Sequence, residues 1–99
     1  MGTEMATAAR VTYAHIVKQP GYCGGKAAID GTRIRVADVV AMHKQGASVD
    51  EIRLDYPQLS LAQVHAALAY YYDHPEEIET TFARDEAEAA KDERLGRGL

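Results

Sequence analysis

The first third of the chain alternates short apolar runs with breakers, and everything after Val36 repeats with a helical period. Arg10 to Val17 (Arg-Val-Thr-Tyr-Ala-His-Ile-Val) is rich in β-branched residues, which predicts a short strand ended by Gln19-Pro20-Gly21. Tyr22 to Lys26 reads as a glycine loop. Ala27–Ile29 and Thr32–Ile34 flank Asp30-Gly31, a pair that predicts a tight type I′ hairpin, whose two central residues both need positive φ. From Val36 the apolar positions Val36, Val39, Val40 and His43 recur at i, i+3, i+4 and i+7, with Met42 beside them, so a helix begins there. Asp38 in its first turn and Lys44 in its last suit the helix dipole, and Gly46 is placed as the residue just past its end.

Two further helix starts follow. Ser48-Val49-Asp50-Glu51 and Ser60-Leu61-Ala62-Gln63 both fit the capping box, a Ser or Thr followed three residues later by Glu or Gln. Tyr56-Pro57 ends the first of these helices, because a residue before proline is pushed out of the α region. The second helix therefore spans about 49–55, with Val49, Ile52 and Tyr56 inward. The third spans about 61–73, with Leu61, Val64, Leu68 and Tyr71 or Tyr72 as its apolar stripe and Gln63, Ala66, Ala67 and Tyr70 off it. Of Tyr70-Tyr71-Tyr72, one or two must lie in the core and at least one near the surface. Pro75 opens a fourth helix reaching to about Arg94, capped by Asp73 or His74. It is rich in Ala and Glu and has only Ile78 and Phe82 as large apolar residues, with Leu95 beyond. Such a helix buries little alone and needs a partner surface. Met1–Ala9 has no period and reads as disordered, and Gly96–Leu99 as frayed. The expected fold is mainly α: a short N-terminal strand or hairpin and a three-helix bundle of helix-turn-helix outline over residues 10–74, then an acidic helix and tail over 75–99.

Composition narrows the function classes. A hydrophobic content of 46% supports one modest core, and no apolar run reaches membrane-spanning length. The start lacks a basic-then-apolar leader, and a lone Cys23 forbids an internal disulfide, so a cytoplasmic location is expected. The net charge of −4 is unevenly spread. Residues 1–60 carry seven Lys/Arg against six Asp/Glu, and residues 61–99 carry four against nine. A near-neutral front and an acidic tail suit a chain whose two ends meet different partners.

No enzymatic constellation stands out. Gly21-Tyr-Cys-Gly-Gly-Lys26 superficially resembles a phosphate loop. It lacks the four-residue spacing before Gly-Lys and the Ser or Thr after it, Ala27 standing there instead. Cys23, His15, His43, His65 and His74 have no metal-site spacing, and His43 and His65 near apolar faces read as hydrogen-bonded core or boundary residues. The expectation is no enzyme, no metal and no cofactor. The helix-turn-helix outline points instead to DNA. Gln58, Ser60 and Gln63 at the entrance of the third helix would face bases, with Lys26, Arg33, Arg35 and Lys44 on phosphates. A protein-interaction module without DNA binding is the alternative, with Tyr70, Ile78 and Phe82 as partner contacts.

Cys23-Gly-Gly-Lys-Ala-Ala-Ile-Asp-Gly-Thr-Arg-Ile-Arg-Val36, Gly46-Ala-Ser-Val-Asp-Glu-Ile52, Asp55-Tyr-Pro-Gln-Leu-Ser-Leu61 and Val64-His-Ala-Ala-Leu-Ala-Tyr-Tyr71 together resemble the family known as domain of unknown function 433, over about residues 11–78. The family pattern has proline where Ala27 and Arg35 stand here. The resemblance implies a homeodomain-like three-helix fold and a VapB-type antitoxin: a small dimer that binds its own operator and neutralises a PIN-like ribonuclease toxin through another segment, here the acidic region after Pro75. It implies no catalytic residue.

Overall fold

The computed structural model describes residues 13–97, with only the backbone described over 93–97. The expectations for residues 1–9, for Arg10–Thr12 and for Gly98-Leu99 lie outside the described residues. Two short strands, β1 (Ile16–Val17) and β2 (Ala28–Ile29), pair antiparallel, with Ile16 opposite Ile29 and Val17 opposite Ala28. Four helices follow: α1 (Val36–Lys44), α2 (Val49–Asp55), α3 (Leu61–Asp73) and α4 (Pro75–Arg97). A mainly helical chain behind a small hairpin is the architecture the patterning indicated.

The hairpin is wired differently from the expectation. The strand begins only at Ile16, because His15 sits at φ 71, a left-handed conformation that ends extended pairing. The Asp30-Gly31 turn forms, closed by Thr32 N–H donating to the Ile29 carbonyl at 3.1 Å. Only Gly31, at φ 80, is left-handed, which is the φ pattern of a type II turn rather than type I′. Thr32–Ile34 do not return as a strand. The Thr32 hydroxyl donates to the Ile29 carbonyl at 2.7 Å and accepts from Ile34 N–H at 3.0 Å, which widens the loop. Pairing resumes at a single bridge, Ala28 to Arg35, flanked by Ile29 N–H to the Ile34 carbonyl and Val36 N–H to the Ala27 carbonyl, both 2.9 Å. β2 is thus sandwiched between β1 and the lead-in to α1. The preceding loop, Cys23–Gly25, is a single 3-10 turn, and the Tyr22 hydroxyl donates to the Thr32 carbonyl to tie it over the turn.

The helix ends were legible. Ser48 and Ser60 each accept from the N–H three residues on at 3.1 Å, and Glu51 and Gln63 each accept from the cap's own N–H at 2.7 Å. α1 ends in a Schellman motif: Gly46 at φ 95 donates to the His43 carbonyl at 3.0 Å, and Ala47 donates to that of Met42 at 3.1 Å. At the C-terminus, α4 runs on through Gly96-Arg97, where a frayed end was expected.

The core sits where α1 crosses the other elements, and it is built from Ile29, Val36, Val39, Val40, Ile52, Leu59, Val64 and Ile78. α1 touches β2, α2, α3 and α4. The inward face of α3 is offset from the expected stripe. Val64, Ala67 and Tyr70 are buried, with Leu68 and Tyr71 packed alongside, whereas Leu61 is 47% exposed. Ala67 is wholly buried because a small side chain lets α3 close on α1, a role that a count of large apolar residues overlooks. The tyrosine trio divides as required, with Tyr70 buried, Tyr71 half-buried and Tyr72 exposed.

Ile52 is fully buried on the short helix α2, so Ile52→Ala should destabilise the chain by about 3 kcal/mol, against about 1 kcal/mol for Ser60→Ala, which removes only a cap. Urea unfolding followed by circular dichroism measures both, and an Ile52→Ala midpoint no lower than that of Ser60→Ala would contradict this core assignment.

Candidate functional site

α4 is held to the body by two apolar side chains and a row of charges. Ile78 is fully buried, and Phe82 packs against the core with the Lys44 ammonium 5.1 Å above its ring. On either side, Lys18 pairs with Glu77 at 3.1 Å, Lys44 with Glu79 at 2.6 Å and Arg35 with Asp85 at 3.0 Å. Ile78, Phe82 and Asp85 follow one another at i, i+4 and i+7, so Asp85 continues the face that docks. That spacing was visible in the sequence, but a carboxylate carries no weight in an apolar count. Ile78 and Phe82, expected as contacts for an outside partner, are therefore spent within the chain.

This docking captures three of the four cations expected on phosphates, Lys44 among them. Arg35 is bound by Asp38 at 2.8 Å and by Asp85, and the hydrogen bonds to these two carboxylates raise its already high pKa. The Lys26 ammonium lies 3.9 Å from Asp85. Arg33 is exposed and has no ion pair among the described residues.

At the entrance of α3, Gln58 is exposed in the turn, while Ser60 and Gln63 are engaged with each other in the capping box. The outward face of α3 presents Leu61, Ala62, His65, Ala69 and Tyr72, and the helix contains no Lys or Arg. His65, expected near the core, is on this exposed face, whereas His43 is a boundary residue, its Nε2 2.6 Å from the Tyr72 hydroxyl. Among the described residues, Leu54 at 80% and Tyr72 at 63% are the most exposed of the large apolar side chains.

Tyr70, expected at a partner seam, is instead the buried member of an aromatic cluster with the half-buried Tyr13 and the exposed His74. Its ring lies 5.0 Å from Tyr13 and 4.6 Å from His74, and its hydroxyl donates to both Glu77 oxygens at 2.8 and 3.0 Å. Sequence reading had no way to pair Tyr13 with residues so far along the chain. Burial, and then the hydrogen bond to Glu77, push the Tyr70 phenol far above its usual pKa. Tyr13 is raised chiefly by its hydrogen bond to Asp73, and Tyr71 chiefly by its bond to Glu79. Glu79 is held below the usual carboxylate range by Lys44 and then Tyr71.

Among the described residues, no three His, Cys, Asp or Glu side chains are grouped to hold a metal ion. Nor, among the described residues, is any helix long and apolar enough to cross a membrane. An open groove of about 680 Å³ separates α1 from α4, lined by Ala41, Lys44, Phe82, Ala83 and Ala89 among others. Beyond Asp85, residues 86–92 of α4 are all exposed.

Because the folded state favours the neutral Tyr70 phenol, its contribution to stability is complete below pH about 10 and is lost as pH rises toward the folded-state pKa. Alkaline titration by ultraviolet tyrosinate absorbance should show a late phase that coincides with loss of helical circular dichroism and vanishes in Tyr70→Phe. A late phase retained in that variant would assign the effect to another tyrosine.

The fold has counterparts. No curated protein matches the chain. A crystal structure of a DUF433 member protein from Anabaena variabilis, at 2.00 Å resolution, is similar with a TM-score of 0.65 and 36% identity, over 82% of this chain and 76% of that one. The family model described as "Protein of unknown function (DUF433)" matches residues 16–71, from β1 into the last turns of α3, and stops short of α4. With its hairpin, its glycine loop, α1, α2 and most of α3 inside that match, the chain belongs to the DUF433 family.

Proposed function

We propose that the chain is an antitoxin-like interaction protein whose distal α4 engages a basic protein partner, of the PIN-like ribonuclease class that the family resemblance suggests. The observation that supports this reading is the split in α4. Its first half is docked through Ile78, Phe82 and three carboxylates. Its residues 86–92 are exposed and carry Glu86, Glu88 and Asp92 against Lys91 alone. The 23-residue helix is about 35 Å long at 1.5 Å per residue, and the molecule measures 62 × 31 × 22 Å. A helix stretch that is acidic and has no large apolar side chain over residues 86–92 gains its packing from another molecule, and its sign selects a basic one. A ribonuclease surface built to hold RNA phosphates has that sign.

Replacing Glu86, Glu88 and Asp92 together by Lys should weaken capture of a co-expressed PIN-like ribonuclease at least about tenfold, with the fold intact, because like charges across an interface are repulsive. Isothermal titration of the co-expressed pair reads this directly, and unchanged affinity would discard the reading.

Operator binding by a helix-turn-helix homodimer is the second reading, favoured by the exposed start of α3 at Gln58, Leu61 and Ala62 and by the free Arg33. Leu54, Leu61 and Tyr72 offer apolar surface for the dimer, although a seam over Leu61 would remove the same turn from DNA. Of the four cations expected on phosphates, Arg33 has no ion pair among the described residues and is the one this reading tests. Arg33→Ala should then weaken binding to upstream duplex DNA and reduce the slope of log affinity against log salt by about 1. Fluorescence anisotropy over a salt series tests it, and an unchanged slope removes Arg33 from the interface.

A further inference from the structure

The glycine loop and α4 enclose a second cleft, of about 270 Å³, that neither reading above uses. Its walls bring together Lys18, Lys26 and Arg84, three cations from distant points of a chain whose net charge is −4, with a single carboxylate, Glu77. Gly24 and Gly25 form the opposite wall with bare backbone at φ 68 and φ 79, and the space a Cβ would take is open at both. Thr80, exposed on α4, adds a hydroxyl at the rim. We propose that this cleft binds a phosphate group, from a free phosphate or from a nucleic-acid backbone.

The carboxylates nearby do not cancel the site, because each has a better partner than the lysine it would quench. Glu77 accepts the Tyr70 hydroxyl on both oxygens, so it stays satisfied when the half-exposed Lys18 turns toward an anion. Asp85 is 3.0 Å from Arg35 but 3.9 Å from Lys26, so Lys26 is held only loosely. Arg84 is exposed without an ion pair among the described residues, and its planar fork suits two phosphate oxygens at once. The size argues for a phosphoryl group and its waters, since sites for whole drug-sized ligands begin near about 300 Å³. A sequence search for the nucleoside-triphosphate loop misses such a site, because the cations come from β1's exit, the loop's end and α4 rather than from one motif.

Amide NMR with inorganic phosphate at constant ionic strength, chloride making up the balance, tests the proposal. Gly24 and Gly25 amides should shift saturably. Arg84→Gln should weaken binding about fivefold or more, the scale of one partly exposed charged contact. Lys91→Gln, on the distal part of α4, should leave it unchanged. Shifts that stay linear in phosphate, or that are indifferent to Arg84→Gln, overturn the proposal. A short DNA duplex provides the second arm: displacement of phosphate from these amides identifies the nucleic-acid backbone as the source, and failure to compete identifies free phosphate. Partner capture runs through residues 86–92, so its loss or survival in the charge-reversed protein is read independently of this cleft.

Discussion

Arg35 is the residue through which the layers of this molecule are joined. Its backbone pairs with Ala28 beside β2, and its N–H donates to the Asp38 carboxylate at 2.9 Å, which starts α1. Its guanidinium then reaches both Asp38 and Asp85, fastening α4 to the same point. Each contact is modest, since a partly exposed ion pair contributes about 0–1 kcal/mol. Their effect is geometric: hairpin, first helix and last helix share one side chain. Proline at this position would have no N–H for the helix start and no cation for Asp85. The joint therefore needs both the backbone N–H and the guanidinium of Arg35.

The way α4 docks follows from how little it has to bury. Full burial of Ile78 stabilises by about 1.5–3 kcal/mol, more than any one of the neighbouring ion pairs. Apolar contact therefore decides that the helix docks, while Lys18, Lys44 and Arg35 decide along which line. Over residues 86–92 no large apolar side chain follows, and every residue of that stretch is exposed. The same scarcity explains why the partner surface that the sequence demanded for Ile78 and Phe82 is supplied by the chain itself.

What the sequence disclosed divides along a physical line. Helix ends were legible at Ser48, Ser60, Gly46 and Pro75, because capping is local chemistry confined to four or five residues. The Asp30-Gly31 turn was legible as a turn, but its type was set by Thr32, whose hydroxyl competes with the ladder for the Ile29 carbonyl and the Ile34 N–H. The phase of α3 was read one position off, since Ala67 and Tyr70 bury for reasons of close approach and of a distant partner, Glu77. The candidate phosphate contacts suffered most. Whether Lys26 or Arg35 is free depends on Asp85, fifty or more residues away, and no local pattern reports a partner at that separation.

The distribution of charge then constrains any account of what the surface does. A duplex brought to the entrance of α3 meets Gln58, Leu61 and Ala62 and no cation on the helix, so electrostatic affinity must come from residues off it. Most of the basic side chains of the body that face α4 are occupied there: Lys18 by Glu77, Lys44 by Glu79, and Arg35 and Lys26 by Asp85. Drawing α4 off the body would release Lys18, Lys26 and Lys44 together with their carboxylates, whereas Arg35 would keep Asp38. Contact along the exposed residues 86–92 leaves these pairs in place, so a partner there and an anion at the glycine loop act at separate points of the same helix.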